Sequence, residues 1–291
     1  MDIRNVTIVG AGVMGSGIAQ VIANSGFNVT LFSSRGKEGL DRLHRGIQIG
    51  ISKGTLTKEQ AILLLSRITC TSLLSDAVKE SDVVIESVIE DASTKMELFK
   101  KLDVHCAKHV IFASNTSSLS IASLAKVTNR PAQVIGMHFF NPAPVMKLIE
   151  VTKAPLTSEE TVNSIFVFSQ KLNKVPLIID DSPGFVVNKI LIPMINAAAF
   201  VLIDKVTTAE NIDFAMKLGA NFPMGPLALA DLIGLDVCLT IMKEINGTVE
   251  GLSFTICPLI EELVARGDLG RKTGKGFFKY ENTLHTPSKQ K

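Results

Sequence analysis

Three glycines after the first apolar run, and a histidine twelve residues before a glutamate, are the features of this sequence best suited to chemistry. Gly10-Ala11-Gly12-Val13-Met14-Gly15 directly follows Val6-Thr7-Ile8-Val9 and opens a helix expected to run to about Ser25. In that strand-to-helix setting the first glycine allows a tight turn, the second lets the backbone approach a pyrophosphate, and the third lets helix and strand pack closely. The free amides at the helix start and the positive end of its dipole favour the same anion. The loop therefore predicts a dinucleotide cofactor. His138 and Glu150 flank Pro142-Ala143-Pro144, which forces a turn able to bring them back together. A carboxylate that holds an imidazole fixes its ring and stabilises its charged form, which suits a general acid and base.

The end of the second strand candidate bears on which dinucleotide. A site for NAD usually places Asp or Glu there to accept from the ribose 2′-hydroxyl, whereas this sequence has Ser33-Ser34-Arg35. A carboxylate would repel a 2′-phosphate, while two hydroxyls and a guanidinium would bind it. NADP is thus favoured over NAD. The alternative is NAD bound without its acidic partner, with Arg35 in solvent.

These residues need a frame. Up to about Asp181, short β-branched runs alternate with amphipathic stretches: residues 6–9, 29–32, 83–85, 110–112, 134–136, 148–151 and 176–179 are the strand candidates. Such alternation predicts an α/β protein with a doubly wound, mostly parallel sheet. Residues 38–66 read as two helices broken at Lys53-Gly54-Thr55. Strand signals stop after Asp180-Asp181-Ser182-Pro183-Gly184, and helices are expected at 185–203, 208–218, 227–244 and 258–266. The expected domains are 1–182, binding the dinucleotide, and a smaller all-helical 183–291. In such sheets ligands bind outside the carboxyl ends of the strands, where the polar clusters at 113–118, including Asn115 and Ser117, and at 137–142 would lie.

Composition removes several alternatives. Thirty Lys and Arg against 28 Asp and Glu leave a charge of +2, too balanced for a nucleic-acid partner. Four scattered cysteines and five histidines support neither a metal site nor a disulfide framework. The longest apolar stretch, 190–203, is too short to span a bilayer, and no secretory layout precedes the first strand, so the reducing cytoplasm is the expected location. There is no Trp and a single Tyr, Tyr280. A tyrosine-driven ketone reductase with Lys four residues after its Tyr is closed to this chain, because Leu284 stands at that position.

G-A-G-V-M-G at 10–15, Glu90 with Lys95, S-N-T-S-S-L at 114–119, H-F-F-N-P at 138–142, K-L-I-E-V at 147–151, D-S-P-G-F-V-V-N-K at 181–189 and G-R-K-T-G-K-G-F at 270–277 together resemble the 3-hydroxyacyl-CoA dehydrogenase family. The resemblance runs in order from about residue 5 to Tyr280. It implies a Rossmann-type first domain and a helical second domain that forms most of a homodimer interface. It makes His138 the acid and base on the substrate C3 oxygen and Glu150 its partner, with Ser117 and Asn188 holding substrate oxygens. Glu90, Lys95, Asn141 and Lys272 would line the nicotinamide side, and Lys53 would meet the CoA phosphates. Two departures stand out: the usual acid after the second strand is missing, and Lys189 replaces an Arg found in many members.

The expected activity is hydride exchange between a nicotinamide cofactor and a short 3-hydroxyacyl-CoA or 3-oxoacyl-CoA, the 3-hydroxybutyryl and acetoacetyl pair foremost. A dehydrogenase of small 3-hydroxy acids would share the opening loop but rely on a helix lysine. A flavin-binding oxidoreductase, or a nucleotide-binding protein without catalysis, would share it too.

Overall fold

In a computed structural model of the chain, the β-branched runs of the first half pair into one eight-stranded sheet. The strands are β1 (Asn5–Val9), β2 (Asn28–Phe32), β3 (Ile68–Thr71), β4 (Val83–Glu86), β5 (Ile111–Ser114), β6 (Val134–Phe139), β7 (Leu148–Lys153) and β8 (Val175–Asp180), in the order β3-β2-β1-β4-β5-β6-β7-β8. All neighbours are parallel except β6 and β7. The structure describes residues 2–34, 36–246 and 253–280. By its contacts the chain divides into two compact units, Met1–Phe185 and Val186–Lys291.

The central strands are apolar along their length because both faces are covered. Alternate residues point to opposite sides. Ile8, Ile85 and Ala113 join Ile18 and Ile22 of α1 (Val13–Asn24) and Phe168 of α7 (Glu159–Lys171) in one core. Val84 and Phe112 join Phe99 and Leu102 of α5 (Ala92–His105) and Leu124 of α6 (Ile121–Ala125) in the other. Between β2 and β3 run α2 (Lys37–Ser52) and α3 (Lys58–Ser66), separated by a turn through Gly54 at φ +68°. Thr57 and Gln60 close a reciprocal cap at the start of α3. The short α4 (Leu74–Val78) leads into β4. The chain fills one side of the sheet from β1 outward to β3, then crosses back to β4, so the order reverses between β1 and β4. That reversal is the topological switch point where such sheets bind ligands.

Three expectations need correction. β3 carried no recognised signal: Ile68-Thr69-Cys70-Thr71 is a short edge strand, half polar, that needs an apolar face on one side only. β5 and β6 run further than expected, so Ser114 and His138 lie within strands rather than after them. Residues 227–244, expected as one helix, form α10 (Pro226–Ile233) and α11 (Leu235–Ile245). The break is Gly234, whose φ of +106° a helix cannot contain.

In the second unit α8 (Val187–Ile203), α9 (Ala209–Gly219), α10, α11 and α12 (Pro258–Ala265) surround a core that includes Ile192, Ile195, Cys238, Met242 and Ile260. Buried polar groups organise the loops. Asn196 bonds the backbone of Thr255 and Cys257, and Asp213 accepts the amides of Leu227 and Ala228 at the start of α10. Asp231 accepts the amides of Phe277 and Phe278 and the hydroxyl of Tyr280. Among the described residues no helix is long and apolar enough to cross a membrane.

Candidate active site

The glycine loop is built as its spacing requires. Gly10 has φ +110°, and a Cβ there would lie 2.4 Å from the Ser87 carbonyl oxygen. A Cβ on Gly15 would lie 1.8 Å from the Gly10 carbonyl oxygen. A Cβ on Gly12 would meet nothing within 4 Å, so that glycine leaves open space over the loop. Gly12 is the N-cap of α1 and offers no side chain to the first-turn amides, while Val13 is exposed and Met14 partly buried. Open space above uncapped amides fits a pyrophosphate. After β2, Ser33 is buried and Ser34 exposed, and Arg35 lies outside the described residues. Gly39 brings α2 close: its Cβ would lie 2.4 Å from Ala11 Cβ and 3.1 Å from Ser33 Oγ.

The turn through Pro142-Ala143-Pro144 returns the chain as β7 beside β6, and the register of that antiparallel pair brings His138 and Glu150 together. They are directly opposed in the antiparallel β6–β7 pair, with Nδ1 of the imidazole 2.7 Å from Glu150 Oε2. Glu150 is fully buried and His138 nearly so. Phe140 and Phe185 tilt against the ring, with centroids 4.5 and 5.7 Å away. A carboxylate at Nδ1 fixes that nitrogen as the donor and leaves Nε2 to exchange a proton. Phe185 was not foreseen in this role; it sits at φ +54° after Gly184, which turns its side chain into the core.

Glu90 and Lys95 belong to a buried charge cluster whose third member, Glu86, was also not foreseen. Lys95 Nζ lies 2.8 and 2.9 Å from the two oxygens of Glu86 and 2.9 Å from Glu90 Oε2. Glu90 Oε1 accepts the Ser117 amide at 2.8 Å and the hydroxyls of Thr116, Ser117 and Ser118. Burial opposes the charge on Lys95, yet the pull of Glu86 and Glu90 outweighs it and raises its pKa. Burial also opposes ionisation of Glu90, but Lys95, Thr116 and the Ser117 amide hold it below the usual carboxylate range. The one available sequence signal for Glu86 was an acid ending the apolar run Val83-Val84-Ile85.

Asn115 bridges strand ends, its Oδ1 accepting the Phe139 amide at 2.9 Å. Asn141 is exposed just beyond β6. The loop that follows is pinned by Lys174, unforeseen, whose ammonium donates to the carbonyls of Ala143 and Met146 at 2.6 Å each. Ala143 packs against α1 where Gly17 leaves room, 3.3 Å from the position of a Cβ. Lys53 is exposed at the C-terminal end of α2. In the second unit, Asn188 is buried in the first turn of α8, and Lys272 bonds Asp236. The first unit thus gathers the glycine loop, Glu90, Lys95, Asn115, Ser117, His138 and Glu150 along one edge of its sheet; Asn188 and Lys272 belong to the other unit.

A dinucleotide-type cradle and a carboxylate-held histidine on one sheet edge can be compared with known proteins. Residues 5–182 match the family model described as 3-hydroxyacyl-CoA dehydrogenase, NAD binding domain, and residues 184–280 match 3-hydroxyacyl-CoA dehydrogenase, C-terminal domain. A probable 3-hydroxybutyryl-CoA dehydrogenase of Bacillus subtilis is 45% identical over 284 residues, covering 97% of this chain and 99% of that protein. The 3-hydroxybutyryl-CoA dehydrogenase of Clostridioides difficile is 46% identical over 279 residues, covering 94% and 99%. The crystal structure of (S)-3-hydroxybutyryl-CoA dehydrogenase from Ralstonia eutropha superposes with a TM-score of 0.90 at 43% identity, over 97% of this chain and all of that one. Both halves of the chain match the family in sequence, and the whole matches it in fold. The chain belongs to the 3-hydroxyacyl-CoA dehydrogenase family.

Proposed function

We propose that this protein interconverts a short 3-hydroxyacyl-CoA and the corresponding 3-oxoacyl-CoA, the 3-hydroxybutyryl and acetoacetyl pair foremost, with NADP preferred to NAD. The observation that carries this reading is the buried His138–Glu150 pair, 2.7 Å apart, on the sheet edge that also bears the glycine loop. The bound nicotinamide cofactor supplies or accepts the hydride at substrate C3. Gly10 to Gly15 hold its pyrophosphate, and Glu90, Lys95, Asn115 and Asn141 line its path. His138 Nε2 gives its proton to the C3 oxygen during reduction and takes the hydroxyl proton during oxidation. Glu150 stabilises the charged imidazole before transfer and keeps the ring aimed. Ser117, whose amide and hydroxyl both donate to Glu90, turns its hydroxyl from that 3.3 Å contact to a substrate oxygen when substrate binds, the amide bond to Glu90 remaining. We assign Asn188 and Lys53 to substrate and Lys272 to cofactor on the resemblance of their surrounding motifs to those of the family.

The preference for NADP rests on Ser33-Ser34-Arg35 in the sequence, which puts no carboxylate after β2 to repel a 2′-phosphate. A homodimer is supported by the second unit's surface, where Ile190, Phe214 and Leu218 are each at least 60% exposed. Light scattering tests it: a mass of one chain would refute the dimer. For the activity, acetoacetyl-CoA is reduced with NADPH and with NADH at equal concentrations. NADPH oxidation at the higher rate is expected; faster NADH oxidation would overturn the cofactor preference, and none with either would overturn the activity.

A further inference from the structure

Glu86 is a fully buried acid that the proton chemistry at His138 does not use. Its Oε1 accepts the Val88 amide at 2.7 Å and Lys95 Nζ at 2.8 Å; its Oε2 accepts Lys95 Nζ at 2.9 Å and Ser114 Oγ at 2.6 Å. Ser114 Oγ itself accepts the Thr116 amide at 3.2 Å, so its one proton is committed to Glu86. A carboxyl group ringed by donors is a carboxylate. Lys95, 1% exposed, joins Glu86 to Glu90, and two carboxylates around one ammonium leave one negative charge in excess. Keeping an unbalanced charge out of water is costly unless something offsets it.

The place of this charge in the sheet suggests what that is. The pyrophosphate cradle lies at the end of β1 and the proton-transfer histidine on β6, separated by β4 and β5. At about 4.8 Å per strand the gap is roughly 14 Å. A cofactor anchored at the first and reacting at the second must cross the ends of β4 and β5, which are Glu86 and Ser114, paired in register. The nicotinamide ring is a cation when oxidised and neutral when reduced. A fixed negative charge beside its path separates the two states in energy.

We propose that Glu86 is a specificity-determining residue for the redox state of the cofactor: its charge shifts the balance of binding towards the oxidised nicotinamide and away from the reduced one. The same charge assists reduction. As a hydride passes to C3 with both electrons, and the C3 oxygen takes its proton from His138, positive charge develops on the ring and meets a carboxylate already in place. The inference rests on the dehydrogenase reading above.

Calorimetric titration of the whole protein with NAD+, NADH, NADP+ and NADPH tests it. Glu86→Gln should raise the ratio of the oxidised to the reduced dissociation constant about tenfold, as expected for one charge removed at close range through protein. Glu86→Asp, which keeps the charge, should leave the ratio near wild type. Glu90→Gln removes the same charge from a partly exposed member, should move the ratio the same way, and serves if Glu86→Gln does not fold. Equal weakening of both forms in the glutamine variants, with the ratio unmoved, would make Glu86 merely structural and overturn the inference. If the wild-type protein bound none of the four nucleotides, the dehydrogenase reading would fall, and this inference with it.

Discussion

Glu150 stands directly opposite His138 in the antiparallel ladder of β6 and β7, and its Oε2 holds the imidazole Nδ1 at 2.7 Å. Opposed residues share a face, so the pairing depends on strand register: a slip of one residue would send Glu150 to the other side of the sheet. The two side chains therefore act as one unit. His138→Gln should lower the turnover of acetoacetyl-CoA by about 10²- to 10⁴-fold, the usual contribution of a general acid. Glu150→Gln should also lower turnover but by less, since the proton donor remains. Cofactor dissociation constants should stay unchanged in both, because the glycine loop is untouched. Steady-state kinetics beside calorimetry would check this, and wild-type turnover in His138→Gln would remove the histidine from the mechanism.

Two of the loop glycines, Gly15 and Gly12, should separate folding from binding. Gly15→Ala forces a methyl to within 1.8 Å of the Gly10 carbonyl oxygen, a backbone atom that no side-chain rotation can move aside. It should lower the melting temperature or prevent folding. Gly12→Ala meets open space within the protein, so its melting temperature should match wild type. Its affinity for the dinucleotide should fall nonetheless, because the added methyl occupies the approach of the pyrophosphate. Undiminished affinity in Gly12→Ala would place the phosphates elsewhere.

What could be read from the sequence followed from period and spacing. Val83-Val84-Ile85 signals a strand because both of its faces need apolar cover, and the glycine loop declares itself by its place between strand and helix. β3 lacked that double requirement, and the break at Gly234 depends on a backbone conformation that a helical pattern does not reveal. His138 and Glu150 are visible as a pair, and the Pro142-Ala143-Pro144 turn does bring the chain back; what the spacing does not reveal is the register of β6 and β7 that sets them directly opposite. Glu86 and Lys174 were missed for another reason. A lone acid or lysine has no periodicity, and its partners, Ser114 at 28 positions away and Ala143 at 31, meet it only in the folded chain.

Asp91 links acid stability to the active-site edge. It caps α5, accepting the Thr94 amide and the hydroxyls of Ser93 and Thr94, and the first turn it fixes delivers Lys95 to Glu86. The Thr94 and Ser93 hydroxyls, then the Thr94 amide, draw its pKa down to about 2. A carboxylate depressed in the folded state contributes its full stability above its ordinary unfolded pKa near 3.9 and loses it as pH falls through the folded value. Wild type should therefore melt higher than Asp91→Ala by a constant margin at neutral pH. The margin should shrink below about pH 4 and close towards pH 2. A margin that stayed constant through that range would mean the cap does not depend on charge.

Tyr280 offers a direct optical reading of the second unit. It is the only tyrosine and there is no tryptophan, so the absorbance of phenolate formation reports a single group. Its hydroxyl donates to Asp231 Oδ2 at 3.0 Å. Burial first, then the charge of Asp231 and the hydrogen bond to it, push its pKa up to about 12, against the partial relief from Arg271. A phenol with a raised folded pKa contributes stability that is complete below its unfolded value near 10 and is lost as pH rises through the folded one. Native protein should titrate at about 12, and protein in denaturant at about 10. Asp231→Asn should bring the native midpoint down, since it removes the negative charge that phenolate must form beside. A native midpoint near 10 in wild type would mean that Asp231 does not hold Tyr280, and that Asp231 fixes the turn carrying Phe277 and Phe278 only through the hydrogen bonds their backbone amides donate to it.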